Sequence, residues 1–125
     1  MYGSRGVTHD DIDGQREAVL RNWEFFRAPL AGIVCMHRDL EYVDSLGVGM
    51  FLQTSFLSLT ARGVGTCVQV SIAGYPHILH AQLGIAPEYR ILYGLAIGYP
   101  DADLPANQLH IARNPIADNV VFHDY

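Results

Sequence analysis

The stretch LGVGMFLQTSFLSL, Leu46 to Leu59, carries apolar side chains nearly all the way round a helix. Asp44 or Ser45 caps its start and Gly63 stops it. A helix patterned in this way belongs to a core or an interface, because no single neighbour can cover every side of it. It is not a membrane span. Gln53, Thr54, Ser55, Ser58 and Thr60 interrupt it, and roughly fifteen residues at about 1.5 Å each fall short of a bilayer of about 30 Å. With 125 residues in all, the chain has few other elements to lay over this helix. A large apolar patch therefore remains unless a second copy buries it, and the expected state is a homodimer.

The rest of the composition narrows the class. The chain is long enough for one domain, residues 1–125, and its 50% hydrophobic and 17% charged content is that of a globular protein. The formal charge is −5 and no basic run occurs, which argues against nucleic acid or an anionic membrane surface as partner and leaves a small molecule. The opening Met1-Tyr2-Gly3-Ser4-Arg5 has no apolar core of a leader peptide, so the location read from the sequence is cytoplasmic. Cys35 and Cys67 lie in apolar, strand-like runs without CxxC spacing. They read as buried thiols in a reducing compartment.

Along the chain, Ile12, Val19, Leu20 and Trp23 fall at helical spacing from Thr8 to about Trp23, with Thr8 as N-cap and Asp10 and Asp11 in the first turn. Gly14 weakens that helix by about 1 kcal/mol relative to alanine. After Pro29, Leu30 to Met36 is almost continuously apolar and reads as a central strand buried on both faces. In RGVGTCVQVS, residues 62–71, Gly63 and Gly65 make a turn and a strand follows that ends in polar groups. Pro76 and Gly84 bracket a short helix carrying Ile78, Leu79 and Leu83. RILYGLAIGYP is a second fully apolar strand, DADLPANQ a loop, LHIARNP irregular, and NVVF a short terminal strand. This order gives an α+β fold, a sheet flanked by helices.

Three side-chain constellations carry little chemistry. His77 and His80 can share a helix face but lack a third metal ligand in HExxH or Cys-pair spacing. Asp101 and Asp103 sit in a proline-rich loop where aspartate forms turns. Ser4, Ser45, Ser55 and Ser58 have no G-x-S-x-G context, so a hydrolase has no support.

Four ordered segments, NWEFFRAP (22–29), DSLGVGMFLQTSFLSLTARGVGTC (44–67), LGIAPEYRILYGLAIGYPDADLPAN (83–107) and RNPIADNVVF (113–122), resemble the C-terminal part of the FMN-dependent nitroreductase family, nearest to its nitrobenzoate-reductase-like branch. The resemblance spans nearly the whole chain, and its specificity lies in the order and gaps of the four segments. It implies a mixed sheet flanked by helices, incomplete relative to the family, whose members are longer and bring an N-terminal Arg/Ser-rich stretch to the FMN phosphate and ribityl chain. MYGSRGVTHDD resembles the middle of such a member. The chain is then expected to be a fragment, a truncated gene product or a deliberately shortened form.

The resemblance also gives the polar strand end a purpose. In the family, the strand after the G-x-G-[ST] turn ends in a loop against the flavin ring, with backbone N–H groups aimed at its N5/O4 edge. Here that loop is Val68-Gln69-Val70-Ser71, with the Val70 N–H nearest N5. Fixed backbone dipoles suit this task, since they stabilise developing negative charge without side-chain chemistry. Many members have proline at the position of Val68, so a looser loop is implied. Arg113 matches a family arginine that pairs with the FMN phosphate, and His110 stands where a second basic residue often precedes it. The implied function is FMN-dependent oxidoreduction, from NAD(P)H through flavin to a nitroaromatic or quinone-like acceptor. The competing reading is a non-catalytic truncated fragment or dimerising module unable to retain FMN. Family members are dimers with flavin at the subunit boundary, and residues 113–125, ending in DNVVFHDY, would be the arm exchanged with the partner.

Overall fold

A computed structural model describes Thr8 and residues 10–123. The leader reading, Ser4, and the last two residues of the arm, Asp124 and Tyr125, lie outside the described residues. The elements are α1 (Ile12–Trp23), β1 (Leu30–His37), α2 (Tyr42–Thr60), β2 (Gly65–Gln69), α3 (Pro76–Leu83) and β3 (Tyr89–Gly98). Short 3₁₀ turns cover Phe25–Arg27, Val70–Gly74, Pro105–Gln108 and Ile116–Asp118.

The strands form one antiparallel sheet in the order β1-β3-β2. β1 and β2 run the same way on either side of β3, so β1-α2-β2 is a split β-α-β unit with β3 inserted between its strands. The β1–β3 register runs from Leu30↔Ile97 to His37↔Tyr89 and shifts between Val34 and Cys35, where Leu92 of β3 is the extra residue. The α+β architecture expected from the order of elements is observed. The place of Leu30–His37 is not the expected one: it is an edge strand here, exposed at Leu30 and Ala31 and buried at Met36. A continuous apolar run signals faces that need cover. It does not say which strand holds the middle, and β3, with Ile91, Leu95 and Ala96 buried, holds it.

Local chemistry sets the helix ends. α1 starts one turn after Thr8, because Asp11 is the N-cap and its Oδ1 accepts from the Gly14 N–H at 2.8 Å. Gly14 makes room for that carboxylate, since a Cβ there would lie 2.1 Å from Asp11 Oδ2. In α2 the first turn is closed by Asp44, whose Oδ2 accepts from the Glu41 N–H at 2.8 Å. Thr60 ends it, and Gly63 follows at φ +74°, the left-handed conformation glycine supplies. Pro76 opens α3, and Gly84 closes it at φ 63°.

The core is small: Ala18, Met36, Leu52, Ile72, Ile91, Leu95 and Ala96. In α2 Leu52 is the buried residue, while Tyr42, Val43, Leu46, Met50, Phe51 and Leu57 are exposed. The accessible surface totals 9895 Å², against about 6,600 Å² for a compact monomer of this mass. The chain by itself does not cover its all-round apolar helix. After Tyr99 the described residues are exposed apart from the half-buried Ala106. The NVVF segment forms no strand, because no sheet edge lies beside it to supply a ladder. Cys67 is exposed on β2 rather than buried; Cys35 is half-buried, and burial pushes its thiol pKa up.

Gly94 is a tight point of the sheet. A Cβ there would sit 2.7 Å from Ile72 Cγ1 and 2.9 Å from Phe25 Cε1, whereas one on Gly74 would meet nothing within 4 Å. Gly94→Ala is therefore expected to lower stability by about 1–3 kcal/mol through overpacking, and Gly74→Ala to stay within about 0.5 kcal/mol of the parent. Urea denaturation of the two variants checks this, and equal midpoints would remove Gly94 from its packing role.

Candidate functional site

The run singled out from the sequence divides in two. Val68 and Gln69 are ladder residues of β2, opposite Leu95 and Gly94, and only Val70 and Ser71 leave the sheet, at the start of the Val70–Gly74 turn. Val68, where many family members have proline, is paired with Leu95 of β3. Exposure follows a pattern: Gln69 is 2% exposed, Val70 69%, Ser71 open, and Ile72 2%. Two buried anchors thus hold a two-residue span of backbone at the surface.

Each anchor has an identifiable hold. Ile72 packs against Gly94, which has no side chain to exclude it. Gln69 reaches across to the end of α1, where its Nε2 donates to the Asn22 carbonyl at 2.7 Å. That carbonyl belongs to the last turn of α1, where it also accepts from the N–H of the C-cap Glu24. Gln69 Oε1 is buried with no hydrogen-bond partner among the described residues. Next to this contact, Trp23 meets Tyr75 edge to face at 5.2 Å between centroids, so α1 and the residue after the Val70–Gly74 turn are joined a second time.

The chain leaves α1 through a strained turn. Phe25, Phe26 and Arg27 have φ of 50°, 53° and 60°, three consecutive non-glycine residues in the left-handed region. Arg27 N–H donates to Glu24 O at 2.9 Å and Ala28 N–H to Phe25 O at 3.0 Å. The turn brings the Phe25 ring to Gly94, beside Ile72. The sequence reading missed Asn22, Trp23, Phe25 and Tyr75 as supports of the strand end. The glycine at 94 inside an apolar strand was the available signal, since it marks close approach of another segment.

His110 and Arg113 lie on the exposed segment after β3. Arg113 Nη1 donates to Ile111 O at 2.9 Å and to Ala112 O at 3.4 Å. Among the described residues no hydrogen bond or ion pair joins His110 or Arg113 to residues 68–71. Other groups have local roles: His80 Nδ1 lies 2.8 Å from Ile85 O, and Asp101 Oδ1 accepts from the Asp103 N–H at 3.0 Å. Among the described residues no three His, Cys, Asp or Glu are placed to hold a metal ion, and no helix is long and apolar enough to cross a membrane. An open cleft of about 540 Å³ borders Arg38, His80, Tyr89 and Arg90, and none of residues 68–71 lines it. The strand end itself offers backbone N–H groups and no titratable side chain. It can bind and orient; electron transfer needs a cofactor.

Residues 10–99 match the Nitroreductase family. The chain belongs to the nitroreductase family. It is 32% identical over 117 residues to a nitrobenzene nitroreductase of Ectopseudomonas oleovorans, covering 94% of this chain and 52% of that protein. It is 31% identical over 123 residues to a 4-nitrobenzoate reductase of Nocardioides sp. (strain LMS-CY), covering 98% and 50%. Among solved structures, the FMN and NADPH-dependent nitroreductase NfnB from Sphigopyxis sp. strain HMH superposes with a TM-score of 0.92 at 27% identity, covering 99% of this chain and 56% of that one. The nitroreductase-like α+β fold is thus observed, and the chain spans about half the length of the curated relatives it matches.

The left-handed turn of this nitroreductase-family chain generates a test. A left-handed conformation costs an L-residue roughly 1–2 kcal/mol. The Arg27 side chain is 71% exposed, with one solvent-screened ion pair to Glu24 at 3.5 Å, a contact worth little. Arg27→Gly is expected to be at least as stable as the parent, and Arg27→Val less stable than Arg27→Gly by about 1–2 kcal/mol. Denaturation midpoints in the reverse order would contradict the strain.

Proposed function

We propose that this chain is the flavin-contacting part of a cytoplasmic, homodimeric FMN-dependent oxidoreductase of the nitroreductase type, which passes reducing equivalents from NAD(P)H to a nitroaromatic or quinone-like acceptor. The observation that carries the reading is the exposed Val70–Ser71 span between buried Gln69 and Ile72, which the family resemblance matches to the loop at the flavin N5/O4 edge. What supports such a group here is that the span is uncharged and exposed between two buried residues, the first of them tied to α1. Bound FMN would supply the hydride and electron chemistry. The Val70 and Ser71 N–H groups would orient the ring edge and stabilise negative charge there. Arg113 would pair with the phosphate through its fork of donors, with His110 adding a second donor beside it.

Assembly supports the same reading. The surface of 9895 Å² exceeds that of a compact monomer by an amount in the range of obligate interfaces, on the order of 3,000 Å². The exposed face of α2 and the arm from Arg113 onward, exposed throughout its described residues, are the surfaces a second copy would cover. That same uncovered surface favours the second reading, a dimerising module of the family's core that does not retain FMN.

Fluorescence titration of FMN separates the two. Under the first reading the chain binds FMN weakly, and Arg113→Ala weakens binding about tenfold or more, the value of a charge-assisted hydrogen bond. No binding at any accessible concentration selects the second. Sedimentation tests assembly: the full chain is expected to self-associate at about 50 µM, and a chain ending at Pro115 to associate clearly less. A well-folded monomer at that concentration would refute the homodimer.

A further inference from the structure

We propose that Gln69 is a positioning residue: by donating to the Asn22 carbonyl it sets the direction in which the Val70 and Ser71 N–H groups are presented, and its own side chain does not touch the group they bind. The assignment deepens the flavin reading above and rests on it for what the two N–H groups face. The ordering of the loop does not rest on it.

Gln69 is the last residue of β2, and its side chain is 98% withdrawn from solvent, being 2% exposed. A buried amide in a strand end is held for its hydrogen bonds, since without them its burial is unfavourable. Its donor is used, at 2.7 Å, on a carbonyl 47 residues away in sequence. Its acceptor Oε1 is unused. That asymmetry separates positioning from stability. Removing the whole amide removes both a favourable bond and an unpaired buried oxygen, two effects of opposite sign and similar size. The bond therefore contributes little to global stability, while it fixes the peptide plane that leads directly into Val70. The other end of the span is fixed by Ile72 against Gly94, so the loss of one anchor frees Val70 and Ser71 and leaves the rest of β2 paired to β3.

The test uses the full chain without flavin and reads ¹⁵N relaxation of individual amides, then FMN titration. Gln69→Met keeps the length and apolar packing of the side chain and deletes its polar atoms. Its denaturation midpoint is expected to stay near the parent's, while the order parameters of Val70 and Ser71 fall from the rigid range of about 0.85 to below about 0.6 and those of Thr66 and Cys67 do not change. Gln69→Glu adds a pH readout and covers the case in which Gln69→Met fails to fold. A protonated carboxyl can donate to the Asn22 carbonyl, whereas a carboxylate can only repel it. Order at Val70 and Ser71 is therefore expected at low pH and lost as pH rises through the pKa of the introduced group, which burial raises above the ordinary carboxylate value. Unchanged order in Gln69→Met, or order independent of pH in Gln69→Glu, overturns the proposal. So does lost order with FMN affinity unaltered in a chain that binds FMN. If the parent chain binds no FMN and order still depends on the amide, the flavin reading fails and the positioning role stands.

Discussion

The pairing of β3 on both edges is the constraint on which the described structure depends. β1 and β2 are not neighbours, and α2 carries the chain from one to the other, so nothing closes the sheet until β3 arrives between them. The residues that reward this late insertion are in β3 itself: Ile91, Leu95 and Ala96 are buried, and Gly94 leaves the gap into which Ile72 and Phe25 pack. Loop closure over long sequence separations has an entropic cost before any contact offsets it. Here one strand meets much of that cost, since it holds three of the seven buried apolar side chains.

The concentration has a consequence for the rest of the surface. α2 has the composition of a core helix and the environment of a surface one, with Tyr42, Val43, Met50 and Phe51 more than two-thirds exposed. Apolar area of that size is compatible with a folded, non-aggregating state only when something covers it. The exposed segment beyond Tyr99 has the matching property, being apolar at Ile111, Ile116, Val121 and Phe122 and in no strand pairing among the described residues. One copy thus offers both an uncovered face and a segment able to cover a face. In the proposed homodimer, reciprocal exchange between two copies would satisfy both at once, in a closed symmetry.

Elements marked by local chemistry were legible in the sequence. Pro76 and Gly84 bound α3, Gly63 lies just past the end of α2, and the apolar run through Ile91–Gly98 is a strand, because each signal acts within a turn or two of the residue that carries it. What was not legible depends on distant partners. The apolar run of β1 did not reveal an edge position, and NVVF has strand propensity but no ladder. The cap of α1 moved from Thr8 to Asp11 because Gly14 admits the aspartate carboxylate, a steric detail beyond propensity. At the proposed site, the strand end at Gln69 was legible in the sequence. Its supports were not, since the Asn22 carbonyl that holds Gln69 has no signature in the side chain of Asn22.

In the proposed site, made of backbone, specificity would lie one step away from the groups that do the binding. Val70 and Ser71 could be many residues without altering their N–H groups, so side-chain identity in the loop carries little of the geometry. The geometry is carried instead by Gln69, Ile72, Gly94 and the left-handed turn at Phe25–Arg27. Three consecutive left-handed residues persist only where packing over-determines them, and here the Phe25 ring beside Ile72 and Gly94 does so. The same packing that keeps the turn strained also keeps Ile72, the second anchor of the loop, in place. Relaxing the turn would loosen the loop, so the local strain and the preorganisation of the N–H groups are two results of one set of contacts.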